Sequence, residues 1–562
     1  MNYRKRGAKL LFPIFLLMLT LMACHEHPRK DARDEGKPPA QMDAHVVTDL
    51  KSLLQYASDN KDKLNDSTVL VYRKLAETLY DSNGYTAVWS AKEHWLPAGD
   101  SLLAFIDSSK AYGLFPSDYH YTALSFIQRV IGEDTMARKN PALWNRADLM
   151  LTDAFFSIVK DLKQGRLDYD SVTLRKDSVL PDSLFFQTLS VARQSGHISA
   201  VLDSLQPRHP GYDSLKACLQ DFLATAHFRY LTWLNYPYEK KDSATFAVAL
   251  ANRLREVGYL DSVVGQPDTA TLAGAIRNYQ ATNKLKVTGR VNGDMVNMMN
   301  NSDWEKFKRI AINLDRYKLL PDTLPRIFVW VDLPAFTLQV VDSDSVVLES
   351  KVIVGAPKTR TPLLTSEISN FVTYPQWTVP VSIIMKEMLP AIKKNIDYLR
   401  KQNLMVVDDN DSVRDPSTIN WRRLNKNNFP YQIKQRQGDD NSLGVMKFNF
   451  KNKYDVYLHD TNVRWMFDKT FRALSHGCVR VKEWRKLSDF LIRKDTMKYH
   501  PDTLRAWIQR QEKHTVYGFA RVPIFIRYFT CEGKKGKIVF HDDIYGEDKE
   551  LRNRYFANKP IY

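Results

Sequence analysis

The sequence predicts a multidomain α + β protein, with a long helical region, a small second helical unit, and a β-rich domain interrupted by a helical insert. Three observations lead there. A length of 562 residues exceeds what one hydrophobic core organises, so about three domains are expected. Apolar residues recur at helical spacing up to residue 320 and then at every second position from 327. A hydrophobic content of 44% with 12% aromatics feeds several cores and excludes a largely disordered chain.

Residues 1–23 read as a targeting segment. Arg4, Lys5, Arg6 and Lys9 precede an apolar stretch, Leu10–Ala23, that is too short to span a bilayer. It ends in Leu21-Met22-Ala23-Cys24, which resembles a bacterial lipobox. That resemblance implies a signal peptide, lipidation at Cys24, and an exported protein anchored to a membrane at the periplasmic face of the cell envelope. Residues 24–44 are polar and Pro-containing and read as a flexible tether.

The formal charge is +17, and removing the four basic residues of the leader leaves 17 − 4 = +13. Basic residues are interspersed with acids and no nucleic-acid-binding signature occurs, so a mixed solvated surface is expected and no nucleic-acid partner. Cys218 and Cys531 fall in apolar or mixed contexts and read as buried free thiols.

Residues 45–240 form the helical domain. Val47, Leu50, Leu53 and Leu54, and later Ala147, Leu151, Ala154, Phe155 and Ile158, keep the 3.6-residue period. Residues 241–303 form the smaller unit, marked by Leu250, Leu254, Ile276, Tyr279 and Met295. An amphipathic connecting helix follows within 304–325. The β-rich domain spans 326–546. Ile327–Val331, Thr337–Val341, Val346–Leu348 and Val352–Gly355 read as successive strands. Helical signal returns inside it, giving an insert at about 382–435, and a strand pair, Val522–Tyr528 and Lys537–Phe540, closes it before a tail at 547–562.

The chemistry concentrates in residues 459–481. One cysteine, Cys478, shares this stretch with His459 and His476, and a cysteine with histidine partners is a candidate nucleophile because the thiolate is the reactive form. Along an extended strand Tyr457 and His459 project to one face, and His476, Cys478 and Arg480 have matching parity. Gly477 leaves room for a substrate backbone, and the main-chain N–H groups of Gly477 and Cys478 are candidates for an oxyanion hole. Arg480 can hold a carboxylate bidentately.

His459 and Ser475-His476-Gly477-Cys478-Val479-Arg480, preceded by Val456-Tyr457-Leu458, resemble the signature of the L,D-transpeptidases, cysteine enzymes that cross-link peptidoglycan. The resemblance extends to Val354-Gly355-x-Pro357, Trp377-x-Val379-Pro380 and Leu443-Gly444-x-x-Lys447-Phe448, with the insert in the place of a capping subdomain. In the helical domain Gly84-Tyr85, Trp89, Gly113–His120 and Gln164–Asp168 resemble the scaffold of the large Gram-negative type. Residues 241–303 resemble the three-helix peptidoglycan-binding domain, with Thr288-Gly289-Arg290-Val291 replacing the commoner D-G-x-V.

The resemblance implies His459 as the base, oriented by the Asp460 carbonyl, with Asp460 and His476 lining the site and Trp377 and Tyr374 lining a donor groove. It implies stem peptides of peptidoglycan as substrates, a thioester intermediate, and no metal or organic cofactor. Water in place of the acceptor amine would make a carboxypeptidase from the same residues, and a wall anchor with a decayed site is the non-enzymatic alternative. The intact Cys478, His459, Gly477 and Arg480 argue against the anchor. A zinc site is disfavoured by the adjacency of His476 and Cys478, and a serine enzyme by the lack of K-T-G after Ser157-x-x-Lys160.

Overall fold

The computed structural model describes residues 39–64, 68–168, 179–261, 265–321, 323–494 and 499–560. The leader, Cys24 and the tether up to residue 38 lie outside the described residues, and 39–44, read as tether, instead begin the first helix, Pro39–Asp59. Among the described residues no helix is long and apolar enough to cross a membrane.

The chain divides into two compact units. One comprises residues up to 104 with 118–157 and 189–198, and the other 105–117, 158–188 and 199–562. The first is helical around a buried carboxylate. Asp148 is fully enclosed and accepts from the Tyr80 hydroxyl at 2.5 Å and from the N–H groups of Val88 and Trp89 at 2.8 and 2.9 Å. Trp89, part of the scaffold-like motif, is buried, and its indole N–H donates to Thr152.

In the second unit, helices Ser243–Glu256, Thr269–Thr282 and Gly293–Asn300 enclose Leu250, Leu254, Ile276, Met295 and Met299. Buried Gln280 accepts from the N–H groups of Thr288 and Gly289 at 2.8 and 3.0 Å, fixing the turn where Gly289 has φ +67°. The next helix, Asp303–Lys318, stands where the connecting helix was expected. Lys308, Asp315, Arg316 and Lys318 are buried along with its apolar residues, and ion pairs accompany them: Lys308 pairs with part-buried Glu305, Glu305 with Arg552 far along the chain, and Lys318 with Asp315. Asn313 exchanges two hydrogen bonds with Thr530, locking this helix to the β-rich domain.

That domain is a closed sheet. Its strands are β1 Ile327–Asp332, β2 Thr337–Asp342, β3 Ser345–Gly355, β4 Leu364–Thr373, β5 Met446–Phe450, β6 Leu458–His459, β7 Ala473–Ser475, β8 Val479–Val481 and β9 Thr515–Arg527. They lie in the order β7-β3-β8-β6-β5-β4-β9-β1-β2, and β2 also pairs with β3, so the ring closes with β7 attached to the end of β3. The two short strands read at 346–348 and 352–355 are one strand, since β3 must reach both β2 and β8. Lys537–Phe540 pairs with Cys531–Lys534 in a separate hairpin rather than with the stretch expected at Val522–Tyr528, of which all but Tyr528 belongs to β9.

The α-helical part of the insert is its first half, Val381–Lys401, which contains a π-turn at Ile384–Met388. Leu404–Val407 then pairs between Gln432–Gln435 and Val413–Arg414. With Trp377–Thr378 these strands form a small sheet over a core of Ile384, Leu389, Ile392, Val406 and Ile433. Cys218 and Cys531 are buried free thiols.

Candidate active site

Strand pairing alone assembles the site. β5 and β6 are antiparallel, with Lys447 opposite His459 and Phe448 opposite Leu458. β6 and β8 are parallel, with Leu458 beside Val479 and His459 beside Arg480. Phe448, Leu458 and Val479 are fully buried in the barrel core. Side chains alternate across a strand, so Lys447, His459 and Arg480 occupy the opposite face, joined by Tyr457 and Cys478.

Each of these groups is shaped by its enclosure. His459 is 5% exposed, with its ring 5.6 Å from that of Tyr457. Desolvation, then the positive charge of Arg480, push its pKa down to about 3, so the imidazole is neutral and able to accept a proton. The carbonyls of Asp460 and Leu443 lie by the ring, although Nδ1 completes no hydrogen bond among the described residues. Burial also raises the Cys478 thiol, against the pull of hydrogen bonds from Tyr457 and the charges of Lys447 and Arg480. The resting sulfur is therefore a thiol, and it sits 3.9 Å from the Asp455 carbonyl. Trp377 reaches the same spot from the insert sheet, in hydrogen-bond contact with Tyr457.

The expected sharing of a face by His476 and Cys478 does not hold. Gly477 has φ +126°, which breaks the extended run, and the exposed His476 ring meets Glu387 of the insert at 2.8 Å. Nor is the Gly477 N–H a free oxyanion donor, because it donates to Ser475 Oγ at 3.1 Å. Ser475 Oγ in turn donates to the Cys478 carbonyl at 2.6 Å, and Thr361 Oγ1 donates to the Gly477 carbonyl at 2.7 Å. The loop is thus clamped from beneath, and of the two proposed donors the Cys478 N–H is left.

Asp460 is fully buried, but its carboxylate serves the neighbouring turn instead of His459. It accepts from the Val445 N–H at 3.0 Å and pairs with Arg464 at 2.6 Å. This holds the Leu443–Val445 turn, where Gly444 has φ +62° and a Cβ would meet Asp460 Oδ2 at 2.4 Å. Tyr374 is buried with its hydroxyl on Asp439 at 2.8 Å, a structural placement rather than a groove wall. Arg480 is half-buried, its Nη1 3.5 Å from Met466 Sδ and its Nε enclosed without a hydrogen bond among the described residues. Sequence reasoning missed Lys447 and Tyr457 as site residues. Tyr457 shares the parity of His459, which was a signal, whereas Lys447 needed the β5–β6 register. Among the described residues no group of three or more His, Cys, Asp or Glu could hold a metal ion.

The chain matches three domain families: a "Scaffold domain" over residues 74–219, a "Putative peptidoglycan binding domain" over 246–299, and an "L,D-transpeptidase catalytic domain" over 326–517. It is 35% identical over 252 residues to a Haemophilus influenzae protein named "Putative L,D-transpeptidase", a match covering 43% of this chain. The chain thus spans about half, 49%, of that relative's length. Two solved structures align over 39% of the chain: an Enterococcus faecium L,D-transpeptidase bearing a cysteine-to-serine substitution (10% identity, 62% of that chain, TM-score 0.17) and the Ldtfm–avibactam carbamoyl enzyme (12%, 61%, 0.16). At those scores neither structure carries an argument.

Proposed function

Taking as premise that the chain carries an L,D-transpeptidase catalytic domain over residues 326–517, we propose that it cross-links stem peptides of peptidoglycan through a thioester on Cys478. The observation that carries this reading is the polar face of β5, β6 and β8, which gathers one thiol, one neutral imidazole and two cations on the reverse of an apolar core.

In the proposed cycle the Cys478 thiol attacks the carbonyl joining the diamino acid of a donor tetrapeptide to its terminal D-residue. As the S–C bond forms, neutral His459 accepts the thiol proton, and the oxyanion develops toward the Cys478 N–H. His459 then returns the proton to the departing amine as the C–N bond breaks. The amine of a second stem peptide attacks the thioester as His459 takes its proton, and when the C–S bond breaks His459 gives that proton to the sulfur, restoring the free thiol. In this reading Arg480, on the same face as the sulfur, holds a substrate carboxylate, and Trp377 lines the groove.

The three-helix unit at 246–299 would hold peptidoglycan, and lipidation at Cys24 would tether the enzyme to a membrane at the periplasmic face of the envelope. Incubation with purified disaccharide-tetrapeptide followed by mass analysis tests the reaction. A cross-linked dimer is expected; trimmed tripeptide alone means a hydrolase, and unchanged substrate refutes the enzyme.

A further inference from the structure

The protonation states at the site leave a question that the Cys–His pair does not answer. An imidazolium commonly stabilises a catalytic thiolate, but His459 is walled in beside Arg480 and burial disfavours its charged form. A fixed positive charge near the sulfur would ease the loss of its proton to His459. The register supplies one. Lys447 is the cross-strand partner of His459, on the face shared with Tyr457 and Cys478, and its Nζ sits 4.0 Å from the centroid of the Tyr457 ring. The Tyr457 hydroxyl reaches the sulfur.

We propose that Lys447 is a positioning residue for the nucleophile: its ammonium, seated on the Tyr457 ring, is the fixed countercharge of the Cys478 thiolate, while the Tyr457 hydroxyl donates a hydrogen bond to the sulfur. This rests on Cys478 being the nucleophile. The titratable and charged groups around Lys447 are Asp455 and Tyr457 in the segment leading into β6, His459 on β6, and Cys478 and Arg480 at the start of β8. Arg480 adds a second positive charge but is spoken for as a substrate carboxylate ligand. Asp455 adds the opposing negative one. An ammonium on an aromatic face is held electrostatically and cannot swing to solvent without losing that contact. The seat also lowers the basicity of Lys447 through burial, while the thiolate restores it, so the two charges stabilise each other.

The test is the pH dependence of Cys478 alkylation by iodoacetamide in the purified protein, followed by peptide mapping so that buried Cys218 and Cys531 do not contribute. Lys447→Met is expected to raise the alkylation midpoint by about one pH unit and to slow the reaction about tenfold near neutrality. Lys447→Arg, which keeps the charge, is expected to restore most of the rate. A Lys447→Met midpoint within about 0.3 unit of the native value overturns the proposal. Should that variant not fold, Tyr457→Phe carries the test, because it keeps the ring and removes only the hydroxyl. Its midpoint must rise, and an unchanged one is equally fatal. Alkylation needs no peptidoglycan. A shifted midpoint in protein that leaves muropeptides untouched would therefore sink the functional reading alone, and an unshifted midpoint in active protein would sink this one.

Discussion

Gly477→Ala isolates the geometry of the nucleophile loop. A Cβ at this position would lie 3.6 Å from the Arg360 carbonyl and 3.8 Å from that of Thr359, ordinary contacts that cost nothing sterically. The whole effect must come from φ +126°, a conformation open to glycine and strained for alanine by about 1–3 kcal/mol. Relaxing to negative φ offers no escape. It would turn the Gly477 N–H away from Ser475 and the Gly477 carbonyl away from Thr361, and each of those hydrogen bonds contributes about 1 kcal/mol. Relaxation also reorients the next peptide unit, whose N–H is the proposed oxyanion donor, and removing one such donor slows other enzymes roughly a hundred- to a thousandfold. The expected result is a fall in muropeptide turnover of about a hundredfold with a drop of a few degrees in Tm, about 2–4 °C per kcal/mol for a domain this size. Turnover is read by mass analysis and Tm by calorimetry. Turnover within about threefold of the parent, at unchanged Tm, would refute the reasoning.

Two further outcomes follow from the same geometry. Asp460→Ala leaves the buried Val445 N–H without its acceptor and should cost about 1–3 kcal/mol in chemical denaturation; it should also slow turnover, because the Leu443 carbonyl beside His459 loses its support. Denaturation unchanged from the parent would show that the turn holds without the carboxylate. His459 makes stability pH-dependent. Its folded pKa of about 3 lies below the unfolded value of 6.5, so below pH 6.5 the unfolded chain binds a proton that the folded one refuses. The contribution is intact above 6.5 and is lost as pH falls toward 3, at about 1.4 kcal/mol per unit. Between pH 7.5 and 4 this is about 3 kcal/mol, and His459→Gln should flatten the profile by that amount. Parallel profiles for parent and variant would show that His459 takes up its proton freely in the fold.

What could be read from the sequence was parity, and what could not was register and long-range pairing. Strand alternation places Tyr457 with His459, and Cys478 with Arg480, and the parallel pairing of β6 and β8 brings the two sets together. The same rule failed for His476, because a glycine at positive φ turns the chain between it and the cysteine. Lys447 joins the site through an antiparallel register that its own stretch does not encode. The Asp303–Lys318 helix looks amphipathic because the partner of Glu305 is an arginine 247 residues downstream. In the insert the helical period was plain to residue 401, but the strands beyond it are short and mutually dependent, so a pattern read locally missed the sheet. The glycine that closes the turn against Asp460 likewise owes its necessity to a residue sixteen positions further along the chain.

The decisive measurement is a rapid quench of the enzyme with donor tetrapeptide, acid trapping, and peptide mapping for an acyl mass on cysteine. One acyl group is expected, on Cys478, lost on adding acceptor amine and absent from Cys478→Ala. An acyl mass on another residue, or continued cross-linking by Cys478→Ala, would contradict it.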